Sequence, residues 1–103
     1  MFLVLTSTYL PDHLRGYLSR FLIEVDPGVY VGNISRRVRD NIWKRCAEAI
    51  DRGSLTMINS DSSREQGFAV NTLGPQRKNI IDLDGMLLPA TLSAVASQND
   101  ANR

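Results

Sequence analysis

The spacing of apolar residues predicts a strand followed by a helix at the start of the chain. Residues Met1–Thr8 are rich in apolar and β-branched types, which is typical of a buried central strand. Pro11 and Asp12 then end the strand and open a helix. Over residues 13–23 the apolar positions follow the i, i+3, i+4, i+7, i+8 pattern of one buried helical face. These positions are Leu14, Tyr17, Leu18, Phe21 and Leu22.

A strand pair and a second helix follow. Residues 23–32 predict two short strands joined by a turn at the Asp-Pro-Gly sequence of residues 26–28. Ser35 is a suitable N-cap for a helix that runs to about Asp51. An apolar line along this helix predicts its buried face. The line comprises Val38, Ile42, Cys46 and Ala49 or Ile50, with Trp43 beside it.

The rest of the pattern predicts more strands and then a polar tail. Ser54–Ser60 and Gly67–Leu73 are strand-like segments on either side of a polar loop, and Asp82–Leu88 alternates weakly, as a short edge strand does. Residues 93–103 are predicted to be disordered. The element order predicts an α+β fold: a ferredoxin-like βαββαβ sandwich with an extra C-terminal β-strand, in one domain over residues 1–92.

Size and charge add little to this picture until the type of basic residue is considered. The 103 residues are 43% hydrophobic, and a domain this small gains stability by burying surface against a second copy. The net charge is +1, but ten of the twelve basic residues are arginines. Arginine presents a planar fork of donors that matches phosphate. A GC-rich genome would give the same composition, so position must decide.

Several classes of active site are disfavoured by the residue inventory. The chain has one cysteine, Cys46, so it can form no intrachain disulfide and no cysteine-rich metal site. Cys46 lies on the apolar line of the second helix, where a buried thiol is unreactive. The single histidine, His13, is predicted to be a surface residue, and no Gly-x-Ser-x-Gly element accompanies it. The apolar start is too short to span a membrane, so we expect a cytoplasmic protein.

A metal site and a small-ligand module are the alternatives to nucleic-acid binding. Asp82 and Asp84 form an Asp-x-Asp pair whose carboxylates could reach one Mg²⁺ from one face of a strand, with Asp12 as a further acid. The following Asp-Gly dipeptide is also an ordinary turn signal. A regulatory ligand-binding module would need an apolar pocket with convergent polar groups, and no sequence motif marks one.

Clusters of basic residues favour a nucleic-acid surface. Arg15 and Arg20 lie on the first helix, and Gly16 leaves room beside Arg15 for a backbone to approach. Gln76-Arg77-Lys78 places two cations on a loop after Gly74-Pro75. A third cluster opposes the macrodipole of the second helix, which suggests an anionic partner. It consists of Arg36, Arg37 and Arg39.

Four segments in a fixed order resemble one protein family. They are LRGYLSRFLIEVDPGVYVGNIS, a helix that contains IW, GFAVNTLG, and a basic pair before DLDG. In this order and spacing they resemble CRISPR-associated protein 2 of the type I-E systems. The resemblance covers about residues 1–92, and LRG, GVYVG, Gly67-Phe68 and DLDG are specific in combination.

The resemblance implies a homodimer that binds double-stranded DNA between two dimers of the CRISPR-associated protein 1 integrase. The integrase performs the transesterification that inserts the DNA as a new spacer. The smaller protein supplies a platform and a fixed separation, for which it needs no cofactor. DNA-backbone contacts would fall on Arg15, Arg77 and Lys78, with His13 at a position that is basic in a relative. Contacts with the integrase would involve Glu65, Asp82 and Asp84, within the partner-pairing segment 82–92.

The resemblance also raises the possibility of nuclease activity. Many family members are described as metal-dependent endoribonucleases or DNases, with an acidic residue at the end of the first strand. The matching residue here is Thr8, and a neutral hydroxyl does not replace a carboxylate as a ligand of Mg²⁺. We therefore expect no catalytic residue at this position, and Mg²⁺ would be required only if nuclease activity exists.

Overall fold

The helices and strands follow one another largely in the predicted order. The computed structural model describes residues 1–78, 80–83 and 86–89. The elements are β1 (Phe2–Ser7), α1 (Asp12–Leu18), β2 (Ile23–Asp26), β3 (Val29–Asn33), α2 (Arg36–Ala49), β4 (Leu55–Ser60), β5 (Phe68–Leu73), β6 (Ile80–Leu83) and β7 (Met86–Pro89).

Five of the strands form one antiparallel sheet in the order β2-β3-β1-β4-β5. Helix α1 joins β1 to β2, and α2 joins β3 to β4. The first four strands therefore have the order of a split βαβ arrangement, and the fold is compatible with the ferredoxin-like class. Strand β5 extends the sheet beyond β4 as the far strand of a hairpin.

The hydrophobic core lies between the two helices and one face of the sheet. Alternate residues of a strand point to opposite faces, so Leu3 and Leu5 of β1 face the helices together. Their neighbours on β3 and β4 include Tyr30 and Met57, which are also fully buried. The core is completed by Leu10, Leu14, Leu18, Leu22, Ile42, Cys46 and Leu55.

The opposite face of the sheet carries a row of aliphatic β-branched residues that spans all five strands. The row consists of Ile23, Val31, Val4, Ile58 and Val70, each directly opposite the next. These residues are half-buried, except Ile23, which is 70% exposed at the sheet edge. Because both helices pack on the other face, the described residues leave this apolar surface uncovered.

The first helix is shorter than predicted. It ends at Leu18, whereas the apolar pattern predicted helix to residue 23. The chain then tightens into a turn in which the N–H of Phe21 donates to the carbonyl of Leu18. This turn lets β2 begin at Ile23 and leaves Phe21 37% exposed, against its predicted burial. Leu22 stays in the core, which is why the periodicity suggested a longer helix.

The second helix is confirmed with its cap and its buried face. The Ser35 hydroxyl accepts a hydrogen bond from the N–H of Val38 at 3.2 Å. Ile42 and Cys46 are fully buried. The remaining residues of the predicted line pack against the core while partly exposed. They are Val38, Trp43, Ala49 and Ile50.

The prediction of one edge strand over Asp82–Leu88 is wrong. The segment contributes to two strands, β6 and β7, which pair with each other. Ile80 lies opposite Pro89, and Leu83 lies opposite Met86. The sequence between them is Asp-Gly, which is typical of hairpin turns, so two short strands pair locally here. Asp84, residues 90–92 and the predicted tail 93–103 lie outside the described residues.

Neither helix approaches the length and apolar character of a membrane span. This holds for the part of the chain that the structure describes.

Candidate nucleic-acid interface

Arg15 is held by a carboxylate that the sequence analysis did not consider. Its guanidinium Nη1 lies 2.7 Å from Oε2 of Glu24, and the two side chains are 43% and 30% exposed. The same Glu24 oxygen accepts a hydrogen bond from the N–H of Gly28 at 3.1 Å. Arg15 therefore stands at the mouth of the β2–β3 turn, held by the Glu24 carboxylate.

The Glu24 carboxylate is kept ionised by its surroundings. The Gly28 N–H lowers the pKa of Glu24, and Arg15 acts in the same direction against a partial loss of hydration. Since the pKa falls below its ordinary value, the ion pair with Arg15 persists throughout the neutral range. A phosphate that binds Arg15 must therefore share the guanidinium with Glu24 or displace it.

The loop that carries Arg77 and Lys78 is anchored at the same end of the sheet. After β5, the N–H of Gln76 donates to the carbonyl of Gly53 at 3.0 Å. Gly53 lies against Thr8, just beyond the end of β1. Arg77 donates from its side chain to the carbonyl of Gly74 at 3.0 Å, and both Arg77 and Lys78 are exposed.

Gly53 explains how these segments approach so closely. It adopts φ +71°, a left-handed conformation that favours glycine. A Cβ atom there would lie 2.6 Å from the Thr8 hydroxyl oxygen. The chain at the end of β1, the start of β4 and the loop after β5 are thus brought together only with glycine at this position.

His13 and a missed arginine lie at this end as well. His13 is exposed near the start of α1, which confirms its predicted surface position. The Arg52 guanidinium stacks 4.7 Å above the ring of Tyr9. No spacing rule in the sequence relates Arg52 to Tyr9, so this contact could not be predicted. We define the basic end as His13, Arg15, Arg52, Arg77 and Lys78.

The residues predicted to meet the integrase lie toward the other end of the sheet. Glu65 is exposed in the β4–β5 loop. Its neighbour Gln66 accepts a hydrogen bond from the N–H of Leu87 at 2.7 Å. Leu87 pairs in register with Asp82. The structure therefore brings the β6–β7 segment next to Glu65, whereas Asp84 lies outside the described residues.

A family model now identifies the chain. The model is described as CRISPR-associated protein (Cas_Cas2CT1978), and it matches residues 1–88. The chain belongs to this CRISPR-associated family. The family part of the resemblance is thereby confirmed, and the type I-E subtype stays a prediction.

In this CRISPR-associated protein, Thr8 has a structural partner. Its hydroxyl oxygen accepts a hydrogen bond from the N–H of Ser54 at 2.8 Å, and its own N–H donates to the Ser54 carbonyl at 3.0 Å. A cleft of about 330 Å³ opens beside it, lined by hydroxyls and by Arg15. The described residues contain no group of three or more His, Cys, Asp or Glu side chains placed to hold a metal ion.

Cys46 is confirmed as a core residue. It is fully buried between α2 and the sheet. Burial raises the pKa of Cys46 to about 11, because a thiolate would lose its hydration there. At neutral pH the thiol is therefore protonated and inaccessible, as expected for a packing residue.

Proposed function

We propose that this protein is the DNA-bracing subunit of a CRISPR spacer-acquisition complex of type I-E. In this proposal a homodimer joins two integrase dimers and holds duplex DNA across its surface. It makes no contribution to the strand-transfer chemistry, which belongs to the integrase. The protein acts in the cytoplasm, where the DNA to be captured is found.

The observation that carries the proposal is the gathering of cations at the basic end. Three separate segments of the chain contribute to it: α1, the connection between α2 and β4, and the loop after β5. Phosphate contacts of this kind fix the position of a duplex without reading its sequence. A Cβ atom at Gly16 would meet no described atom within 4 Å, so packing does not explain the glycine beside Arg15. Room for a nucleic-acid backbone would explain it.

The homodimer is supported by the uncovered face of the sheet. A continuous row of β-branched aliphatic residues is costly to leave in water. A second copy of the same face, related by a twofold axis, would bury the row against itself. Sheet-on-sheet packing is a stable arrangement for two such faces. The dimer would also present two basic ends, one from each copy, to a single duplex.

A nuclease activity within the same family remains the alternative function. It would require carboxylates to replace the missing first-strand acid, with Asp82, Asp84 and Asp12 as the candidates. Thr8 supports the bracing role instead, since its hydroxyl is used to join β1 to the start of β4.

The salt dependence of duplex binding tests the DNA contacts directly. Each lost phosphate contact should reduce the slope of log affinity against log salt by about 0.9. The double variant Arg77→Ala/Lys78→Ala, assembled with the integrase, removes two contacts from each copy of the proposed dimer, so it should flatten the slope by about 3.6. Binding is measured by fluorescence anisotropy of a labelled duplex over a range of salt concentrations.

A variant with the same change in net charge provides the control. Arg37 and Lys44 are exposed cations of α2 that are not among the residues of the basic end. Arg37→Ala/Lys44→Ala should leave the slope within about 0.5 of the parent protein. Equal flattening in both double variants would mean that net charge, and not the basic end, drives binding. An unchanged slope in the Arg77/Lys78 variant would contradict the proposal.

A further inference from the structure

A polar cavity lies between α2 and the neighbouring strands β4 and β5. Among the strands, β1, β3 and β4 supply the core cluster, whereas β5 is an edge strand of the sheet. The helix-facing side chains Ala69 and Asn71 of β5 therefore form the floor of an open space. This space has a volume of about 460 Å³, which is within the usual range for sites that bind small molecules.

One wall of the cavity is a line of side chains on α2. Arg36, Arg39 and Trp43 are spaced i, i+3, i+7, so they lie along one side of the helix. Arg37, between them, is exposed and does not line the cavity. The cluster of cations at the start of α2, which opposes the helix macrodipole, is thus divided into two cavity residues and one surface residue.

Arg39 is fixed in place by two hydrogen-bond acceptors. Its Nη1 donates to Oδ1 of Asn59 at 3.2 Å, and its Nε donates to Oδ1 of Asp40 at 2.8 Å. Asn59 is only 2% exposed and donates in turn to the Ser60 carbonyl. A buried amide that accepts from Arg39 while it is itself anchored to the Ser60 carbonyl suggests that the position of the guanidinium matters.

The opposite wall belongs to the β4–β5 loop, where Asp61 and Arg64 line the cavity. Hydrogen bonds from the Ser63 hydroxyl and N–H lower the pKa of Asp61, and the charges of Arg64 and Arg36 act in the same direction. The described residues that line the cavity thus include three guanidinium groups and two carboxylates, and Met1 with its ammonium group lines it as well. The positive charge of Arg36 also contributes to the lowered pKa of Asp61.

We infer that this cavity binds a nucleoside monophosphate. Arg36 and Arg39 on α2 and Arg64 on the loop supply fork-shaped donors for a phosphate group. Trp43 supplies an aromatic surface on which a base can stack. The amide of Asn71 supplies a hydrogen-bonding group for the base or the sugar. The site is separate from the basic end, and the inference does not depend on the proposed bracing function.

The single tryptophan of the chain provides the assay. Trp43 is the sole source of indole fluorescence, so quenching on addition of dAMP reports on this cavity alone. We expect saturable quenching with a dissociation constant below about 1 mM. Deoxyadenosine, which lacks the phosphate, should bind at least about tenfold more weakly. Inorganic phosphate should also bind more weakly than dAMP, because it cannot stack.

Substitutions at two adjacent arginines distinguish binding in the cavity from a general effect of positive charge. Arg36→Gln should weaken dAMP binding about five- to tenfold, whereas Arg37→Gln should change it less than about twofold. Both substitutions remove a cation from the first turn of α2, so both proteins should unfold at or above the parent temperature. This thermal measurement ensures that a loss of binding is not a loss of folding.

Three results would overturn the inference. The first is the absence of saturable quenching with dAMP at concentrations up to about 10 mM. The second is equal weakening by Arg36→Gln and Arg37→Gln, which would indicate a diffuse charge effect. The third is equal affinity for dAMP and for inorganic phosphate, or for dAMP and deoxyadenosine, which would mean that the base or the phosphate makes no contribution.

Discussion

At the scale of single residues, Arg15 shows how a cation of the basic end is held, since its guanidinium lies 2.7 Å from Oε2 of Glu24. Arg15, Arg77 and Lys78 were singled out because basic residues in exposed segments favour phosphate binding. The contact between Arg15 and Glu24 joins a helix to a strand nine positions later, and no periodicity relates such positions. The exposed position of His13 and the burial of Cys46 could be predicted, since each follows from the apolar pattern around it.

The Arg15–Glu24 ion pair gives a prediction at this scale. If duplex phosphates compete with Glu24 for Arg15, Glu24→Gln should tighten duplex binding at low salt by about two- to fivefold. Glutamine keeps an acceptor for the Gly28 N–H, so the β2–β3 turn is preserved. The measurement is duplex affinity of the integrase complex by fluorescence anisotropy.

The matched control for this variant is Asp26→Asn. Asp26 is an exposed carboxylate on the same strand, and its loss changes the net charge equally. We expect a smaller effect from Asp26→Asn than from Glu24→Gln. Weaker binding by the Glu24 variant would mean that Glu24 positions Arg15 for DNA and does not compete with it.

At the scale of elements, strong apolar periodicity predicted correctly that a helix was present, but it did not predict where a helix or strand ends. Helix α2 was predictable because Ser35 and a long apolar line agree with each other. Helix α1 was predicted too long because Leu22 continues the apolar period after the helix has ended. The β6–β7 hairpin was missed because a weak alternation over Asp82–Leu88 gave no sign of where one short strand ends and the next begins.

The cap of α2 gives a prediction for this element. Ser35→Ala leaves the N–H of Val38 without its acceptor, so the free energy of unfolding should fall by about 1 kcal/mol. Ser35→Asp keeps an acceptor and adds an anion beside three arginines, so it should be at least as stable as the parent. Both are compared by urea unfolding at one fixed protein concentration.

Ser62→Ala, in the exposed β4–β5 loop, is the control for the capping variants. A surface serine away from a cap should change the free energy of unfolding by less than about 0.5 kcal/mol. If Ser35→Ala behaved like Ser62→Ala, the hydroxyl of Ser35 would not be stabilising α2.

At the scale of the whole molecule, the two faces and two ends of the sheet have different properties. One face carries the core and the helices, and the other carries the uncovered aliphatic row. One end carries the basic residues, and the other carries Glu65 beside the β6–β7 segment. The fold class was predictable from the order of elements. The grouping of distant segments at each end was not, because it depends on which strands become neighbours.

The aliphatic row makes the dimer testable by one substitution. Val4 lies at the centre of the row, between Val31 and Ile58. Val4→Asp would place a charge in the proposed dimer interface, and Val4→Thr would make a milder change that preserves strand propensity. We expect the first to give monomers and the second to weaken the dimer. Circular dichroism verifies that each variant is folded.

The most direct test of the bracing role is the native mass of the complex assembled from this protein, the integrase and a DNA duplex. The proposal predicts two copies of this chain, two integrase dimers and one uncut duplex in a single particle. Val4→Asp should abolish that particle without affecting the integrase dimer. A particle that lacks this chain, that contains a single copy of it, or whose duplex is cut only when this chain is present, would contradict the proposal.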